Sequence, residues 1–179
     1  MDVGPWAKLV TGMNPKYLLE LKTRTEKALN EDPPDGLMAI TASWALWEAV
    51  RRRILVQACK REGWTVGQAQ KALESERINN ERFVQLFEVI YTSSKWEDSL
   101  PIVAKRLWPG IIRITDLRRR IINGTTRIGD TRLQKYAWDV LRFINSLREH
   151  PLGDPLKELP RISKKTKSDR SLKNRIKKA

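Results

Sequence analysis

Cysteine and histidine are nearly absent: one of each in 179 residues. A lone cysteine rules out an intramolecular disulfide, and Cys59 falls inside a helical apolar pattern where a thiol packs as a small hydrophobe. Zinc sites need clustered His, Cys or carboxylates, and the chain has neither H-x-x-x-H nor C-x-x-C, so no metal is expected. Ser-His-Asp chemistry would have to recruit His150, at a helix end before Pro151, and is not expected either. There is no G-x-x-x-x-G-K-[ST] loop and no G-x-G-x-x-G turn, which removes support for phosphate-loop hydrolysis and for dinucleotide binding; no cofactor is expected. Apolar runs of about eighteen residues are missing, and the opening M-D-V-G-P-W-A-K is too polar for a secretory leader. The expectation is a soluble, cytoplasmic protein with no membrane partner. Internal repeats and sustained alternation of the kind a strand needs are also lacking, which leaves an all-α fold class.

Basic charge is abundant. Lys and Arg number 35 against 21 Asp and Glu, a formal net charge of +14, and the isoelectric point is about 10.2. From Arg161 to Ala179 nine Lys or Arg face one Asp169, so this stretch carries +8 and the remainder +6. Such a distribution fits a polyanion, with RNA ahead of DNA. The plainer alternative is a solvated tail with no specific target. Seven Trp help to supply a core for one domain.

Residues 1–13 are expected to be a loosely ordered lead-in, 14–150 a helical domain, and 151–179 a proline-punctuated basic tail whose last twenty or so residues lack fixed structure. Within the domain, Asn14 and Pro15 open a helix ending near Glu31, and Pro33 to Gly36 break it. A long helix is predicted from about Leu37 to Glu62, with Ile40, Trp44, Trp47, Ile54 and Ala58 on its core face and Arg51 as the polar interruption. Thr65 with Gln68 forms a capping box for the next helix, and Asn80 is expected to cap the one carrying Phe83, Leu86, Phe87 and Ile90. A shorter helix should end at Pro109-Gly110, a new one should run from Ile111 to Asn123, and Asp130 should cap the last, with Leu133, Ala137, Val140, Ile144 and Leu147 inward. Tyr136, Trp138, Leu141 and Phe143 add apolar area to that last helix beyond one face, which calls for a second contact with another helix or a partner subunit.

The most informative stretch is Asp116 to Gly124, D-L-R-R-R-I-I-N-G. Gly124 suits the left-handed turn after a helix, and Arg118, Arg119 and Arg120 are well placed near the negative ends of the last carbonyls. Arginines in a final turn often do no more than that. Guanidinium is also the side chain suited to phosphate, through paired hydrogen bonds and a permanent charge. Asn123 shares a face with Arg119 and Arg120, whereas Arg118, five residues back, lies about 140° away on an ideal helix.

L-R-R-R-I-I-N-G followed by a second amphipathic helix resembles the signature of the HEPN family, in which two long helices flank R-x4-6-H, typically written L-R-N-x-I-V-H-G. Arg118 matches the arginine of that pattern, Gly124 fits, Arg119 replaces a small polar residue, and Asn123 stands where the family has histidine. W-A-L-W-E-A-V-R-R-R at 44–53 also looks like an early helix of the family, so the resemblance runs roughly from Met38 to Leu147. It implies a homodimer whose two copies assemble a metal-independent RNA-cleaving site, with Arg118 and Asn123 in the catalytic positions. Arg119, Arg120, Arg52, Lys164, Lys165 and Lys167 would then grip nucleic acid, and Glu48 would support the site beside one of the arginines at 51–53. An amide cannot exchange protons as imidazole does, and losing a general acid or base costs about 10²- to 10⁴-fold in rate. RNA binding with little cleavage is therefore expected, in a toxin–antitoxin or phage-defence setting with a cognate partner protein. The rival class is a non-catalytic helical protein that binds nucleic acid or an acidic partner.

Overall fold

A computed structural model describes residues 15–122, 128–157 and 167–179, and these are all-helical. The helices are α1 (Pro15–Asn30), α2 (Gly36–Arg61), α3 (Val66–Leu73), α4 (Asn80–Ile90), α5 (Trp96–Ser99), α6 (Ile102–Ile122), α7 (Asp130–Ser146) and α8 (Asp169–Lys178), with a 3-10 turn at Leu147–Glu149. None of the described helices is long and apolar enough to cross a membrane.

α2 is the axis of the molecule. It packs against α1, α3, α4 and α7, while α6 lies on α7. Every residue from Arg53 to Cys59 is buried. A helix covered on so many sides has no solvent stripe to hold its charges, so Arg51 and Arg53 go inside with the apolar residues. The Arg53 guanidinium donates to the Lys157 carbonyl. The expected aromatic stripe is core: Trp47 meets Phe143 at 5.1 Å, Phe83 at 5.8 Å and Trp108 at 5.9 Å, all edge-on. Edge contacts of this kind add about 0.5–1.5 kcal/mol each beyond burial. Leu141 and Phe143 are also buried within the chain, leaving Trp138 as the exposed large side chain of α7.

Pro109 does not end a helix; α6 runs through it. Proline leaves the carbonyl four residues earlier without its helical donor, at a cost of about 3 kcal/mol in an interior position. That carbonyl belongs to Lys105, and both residues are exposed, so water can reach it. Ala104, Trp108, Ile111 and Ile114 meanwhile keep one continuous buried stripe across the break. The stripe fades toward the arginines, since Leu117 and Ile121 are only half-buried.

Two caps are reassigned. Asn79, not Asn80, accepts from the Arg82 N–H at 2.7 Å, and Asn80 is drawn into the core. Asp130 does not cap its own helix; its Oδ1 accepts from the Gly36 N–H at 3.1 Å, at the start of α2, where Asp35 Oδ1 takes the Met38 N–H at 2.8 Å. Two carboxylates thus answer the donors at one helix start.

The basic tail is corrected most. Residues 169–178 are helix α8, with Leu172 and Ile176 buried against α3 and α4. Polar contacts hold it there. Trp64 Nε1 donates to Ser171 Oγ at 3.1 Å, Arg82 donates to the Ile176 carbonyl at 3.2 Å, and Arg175 donates to the Ile90 carbonyl at 3.0 Å. A composition argument counts only the apolar surface a segment carries, and here the groove that receives it is built by the rest of the chain. The division at 150/151 is likewise not a packing boundary, because Leu156 is buried and Gln57 Nε2 reaches the Asp154 carbonyl at 3.3 Å.

His150 is buried beside Trp96 and Phe87. Its Nδ1 accepts from the Leu152 N–H at 3.2 Å, so Nε2 carries the hydrogen and donates to Ser99 Oγ at 3.0 Å, while Ser99 donates to the Trp96 carbonyl. The hydroxyl is therefore a structural link. Burial pushes the His150 pKa down to about 4, favouring the neutral ring in the folded state. The unfolded chain binds a proton near pH 6.5 and the folded one does not. Stability from this residue is thus complete above about pH 6.5 and falls away as pH drops toward 4, by on the order of 3 kcal/mol. Urea titrations at stepped pH should show that loss, and His150→Asn should remove this component of the slope.

Gly36 provides a second check. A Cβ there would lie 2.5 Å from Asp130 Oδ1 and 2.6 Å from the Asp130 carbonyl oxygen. Gly36→Ala should destabilise by about 1–3 kcal/mol, measured by urea midpoint at constant m-value.

Candidate nucleic-acid site at the end of α6

Trp44 and Glu48 fall at helical spacing along α2 and meet Arg118 in the last turns of α6, with Arg51 one turn further along α2. Arg118 Nη1 forms an ion pair with Glu48 Oε1, and its guanidinium sits 6.0 Å from the centre of the Trp44 ring. The Arg118 and Glu48 side chains are 36% and 45% exposed. A pair this open to water contributes less than about 1 kcal/mol to stability, but the opening leaves its remaining donors within reach of a ligand.

Behind it stands a buried cation. Arg51 Nη2 lies 4.0 Å from Glu48 Oε1, and Nη1 donates to Asn80 Oδ1 at 2.8 Å. The same oxygen accepts from Trp47 Nε1 at 3.1 Å. Burial, then the neighbouring Arg52 charge, lowers the Arg51 pKa to about 10, so it remains a cation at neutral pH. The result is a ladder: Asn80 holds Arg51, Arg51 approaches Glu48, and Glu48 pairs with Arg118. Sequence reasoning placed Glu48 beside an arginine from 51–53 and named Arg118. It missed Asn80 as the shared acceptor, and the one available signal was Arg51 interrupting an otherwise apolar face.

The other candidates are distributed differently. Arg52 donates to the Leu73 carbonyl at 2.8 Å and the Glu76 carbonyl at 3.0 Å, occupying the C-terminal end of α3 and the turn after it. Lys167 Nζ lies 4.8 Å from the Trp64 ring centre and 3.7 Å from Glu62 Oε2, beside α8. Arg120 is exposed on the face of α6 turned toward α7. Arg119 belongs to α6 by its backbone. Asn123, Lys164 and Lys165 lie outside the described residues. Among the described residues no group of three or more His, Cys, Asp or Glu could hold a metal ion.

Comparison with family models, with curated proteins and with solved structures finds no match to this chain.

The ladder makes a sharp stability prediction. Asn80→Ala would strand two buried donors, one of them charged, and should cost about 3 kcal/mol. Asn80→Asp keeps the acceptor and supplies a counter-charge, and Asn80 Nδ2 has no partner to lose. Aspartate should therefore hold stability near that of asparagine at pH 7, a contrast readable from the two thermal midpoints.

Proposed function

We propose that the protein is a dimeric RNA-binding member of the HEPN metal-independent endoribonuclease lineage, with cleavage suppressed by Asn123 at the acid/base position. The observation that carries this reading is the Glu48–Arg118 pair: an acid from an early helix meets the arginine of the R-R-R-I-I-N-G motif, and both side chains are partly exposed. Arg118 is the arginine of the resembling motif, and Glu48 lies in the early-helix stretch that the resemblance includes.

Metal-independent RNA cleavage needs three services. The 2′-oxygen attacks the adjacent phosphorus while its proton passes to a base. Charge on the phosphoryl oxygens is stabilised, and the departing 5′-oxygen receives a proton. Arg118, aimed by Glu48, serves the second. Asn123 can hydrogen-bond a phosphate or a 2′-hydroxyl but cannot titrate, so the proton transfers lose their carrier. Five residues on an ideal helix turn by about 140°, so one chain would have difficulty converging both groups on a phosphate, and a two-fold pair of chains would bring one copy's Arg118 toward the other's Asn123. A toxin or phage-defence role with a cognate partner belongs to the same reading.

The test is restoration. Asn123→His should confer RNA cleavage that survives a chelator, about 10²-fold or more above the parent chain, and Arg118→Ala in that background should abolish it while most RNA binding persists. Bound but uncleaved RNA with the histidine in place would refute the nuclease lineage.

A further inference from the structure

On the opposite side of α6 from Glu48, the α6–α7 pair encloses a groove of about 470 Å³. Arg113 and Arg120 line one wall, Arg132 and Lys135 the other, and Asp139 is the one carboxylate among the described residues lining it. Ile114 and Leu117 contribute apolar surface, and Gly110 lies at one end of the α6 wall. Arg132 is fixed in place: its Nε donates to Tyr136 Oη at 2.7 Å, and its guanidinium lies 5.6 Å from the Tyr136 ring centre. That arrangement occupies Nε and leaves the forked end of Arg132 for an anion. No ion pair within 4 Å joins Asp139 to Arg113, Arg132 or Lys135. Arg113, Arg132 and Lys135, gathered in a recess with one carboxylate that pairs with none of them, raise the local potential and favour an anionic occupant.

We infer that this groove is a phosphodiester track, holding the segment of a single RNA strand that flanks the Glu48–Arg118 site. The inference rests on the RNA reading and extends it to a second surface. Arg113 and Arg120 are about 10 Å apart along the helix, wider than one phosphate step but close enough for two long side chains to hold separate phosphates of one strand. The apolar stretch between the charged walls accommodates sugar and base, whereas a continuous anionic surface such as a membrane would meet a recess. Continuity decides the occupant over an acidic peptide: Arg120 is two residues from Arg118, about 3 Å further along the axis and on the other face.

The experiment measures binding of the full chain to a fluorescein-labelled single-stranded RNA of about 12 nucleotides across a KCl series. Arg132→Gln with Lys135→Gln should weaken binding about tenfold near 0.1 M salt and lower the slope of log affinity against log salt by about 1.4, two single-strand phosphate contacts' worth. Lys71→Gln with Arg77→Gln, which removes the same charge outside the groove, should leave the slope within about 0.3 of the parent. Gly110→Leu supplies a steric arm. A Cβ at Gly110 meets nothing within 4 Å, so the fold should tolerate it, as the thermal midpoint will show, while the side chain obstructs the track and weakens RNA binding. The track is overturned if the groove variants bind like the Lys71/Arg77 control, if the parent chain does not bind the RNA, or if poly-glutamate displaces RNA as well as unlabelled RNA does. These outcomes are separable from the nuclease reading. Loss of binding in the groove variants with no cleavage by Asn123→His would keep the track and remove the lineage, and cleavage with unchanged groove-variant binding would do the reverse.

Discussion

Enclosure of α2 is the constraint on which the rest of the structure depends. A 26-residue helix buried along most of its circumference cannot send its cations to water, and it carries three arginines in a row. Isolated charge in a low-dielectric interior is costly, so each guanidinium must find oxygen. Arg51 takes Asn80 Oδ1 and approaches Glu48, Arg52 takes the carbonyls where α3 ends, and Arg53 takes the Lys157 carbonyl. Three neighbours in sequence thereby tie α2 to α4, to α3 and to the segment after α7. The surrounding elements are held partly by apolar contact and partly by the demand for acceptors.

The same demand shapes the candidate site. Glu48 stands at the border between the enclosed and open parts of α2, with Arg51 on its inner side and Arg118 on its outer side. A carboxylate placed between two guanidinium groups lies 4.0 Å from the inner one and orients the outer one, whose side chain is partly open to solvent. The pair contributes little to stability at this exposure, so its geometry reads more naturally as orientation of Arg118 than as reinforcement of the fold. On the far side of α6, Arg132 is oriented by a neutral group, Tyr136, and keeps its full charge for a ligand. The arginine of α6 and the arginine of α7 are thus held by opposite means, one by a carboxylate and one by a phenol.

α8 follows the logic of α2 at smaller scale. Its basic residues made it read as an unstructured tail, yet Arg175 meets the carbonyls ending α4 and the Glu62 carboxylate, while Leu172 and Ile176 fill the groove between α3 and α4. Helix C-termini carry exposed acceptors and partial negative charge, so a basic amphipathic segment is well matched to a surface where helices end. Charge in this tail serves docking as well as solubility.

The amino-acid sequence by itself determined the helical class, the phase of α1, α2, α4 and α7 and the position of Arg118 near the end of its helix, because hydrophobic period, capping residues and glycine placement act over a few residues. Pro109 shows the limit of such local rules: its penalty was legible, and the longer buried stripe that outweighs it was spread across two predicted helices. Tertiary structure alone decided which members of Arg51–Arg53 turn inward, that Asn80 serves the core instead of a cap, that Asp130 answers another helix, and that Glu48 meets Arg118. Each of these depends on which element covers a given side of a helix. Periodicity states the angle at which a side chain leaves its own axis, and only the packed chain states which acceptor or cation waits there.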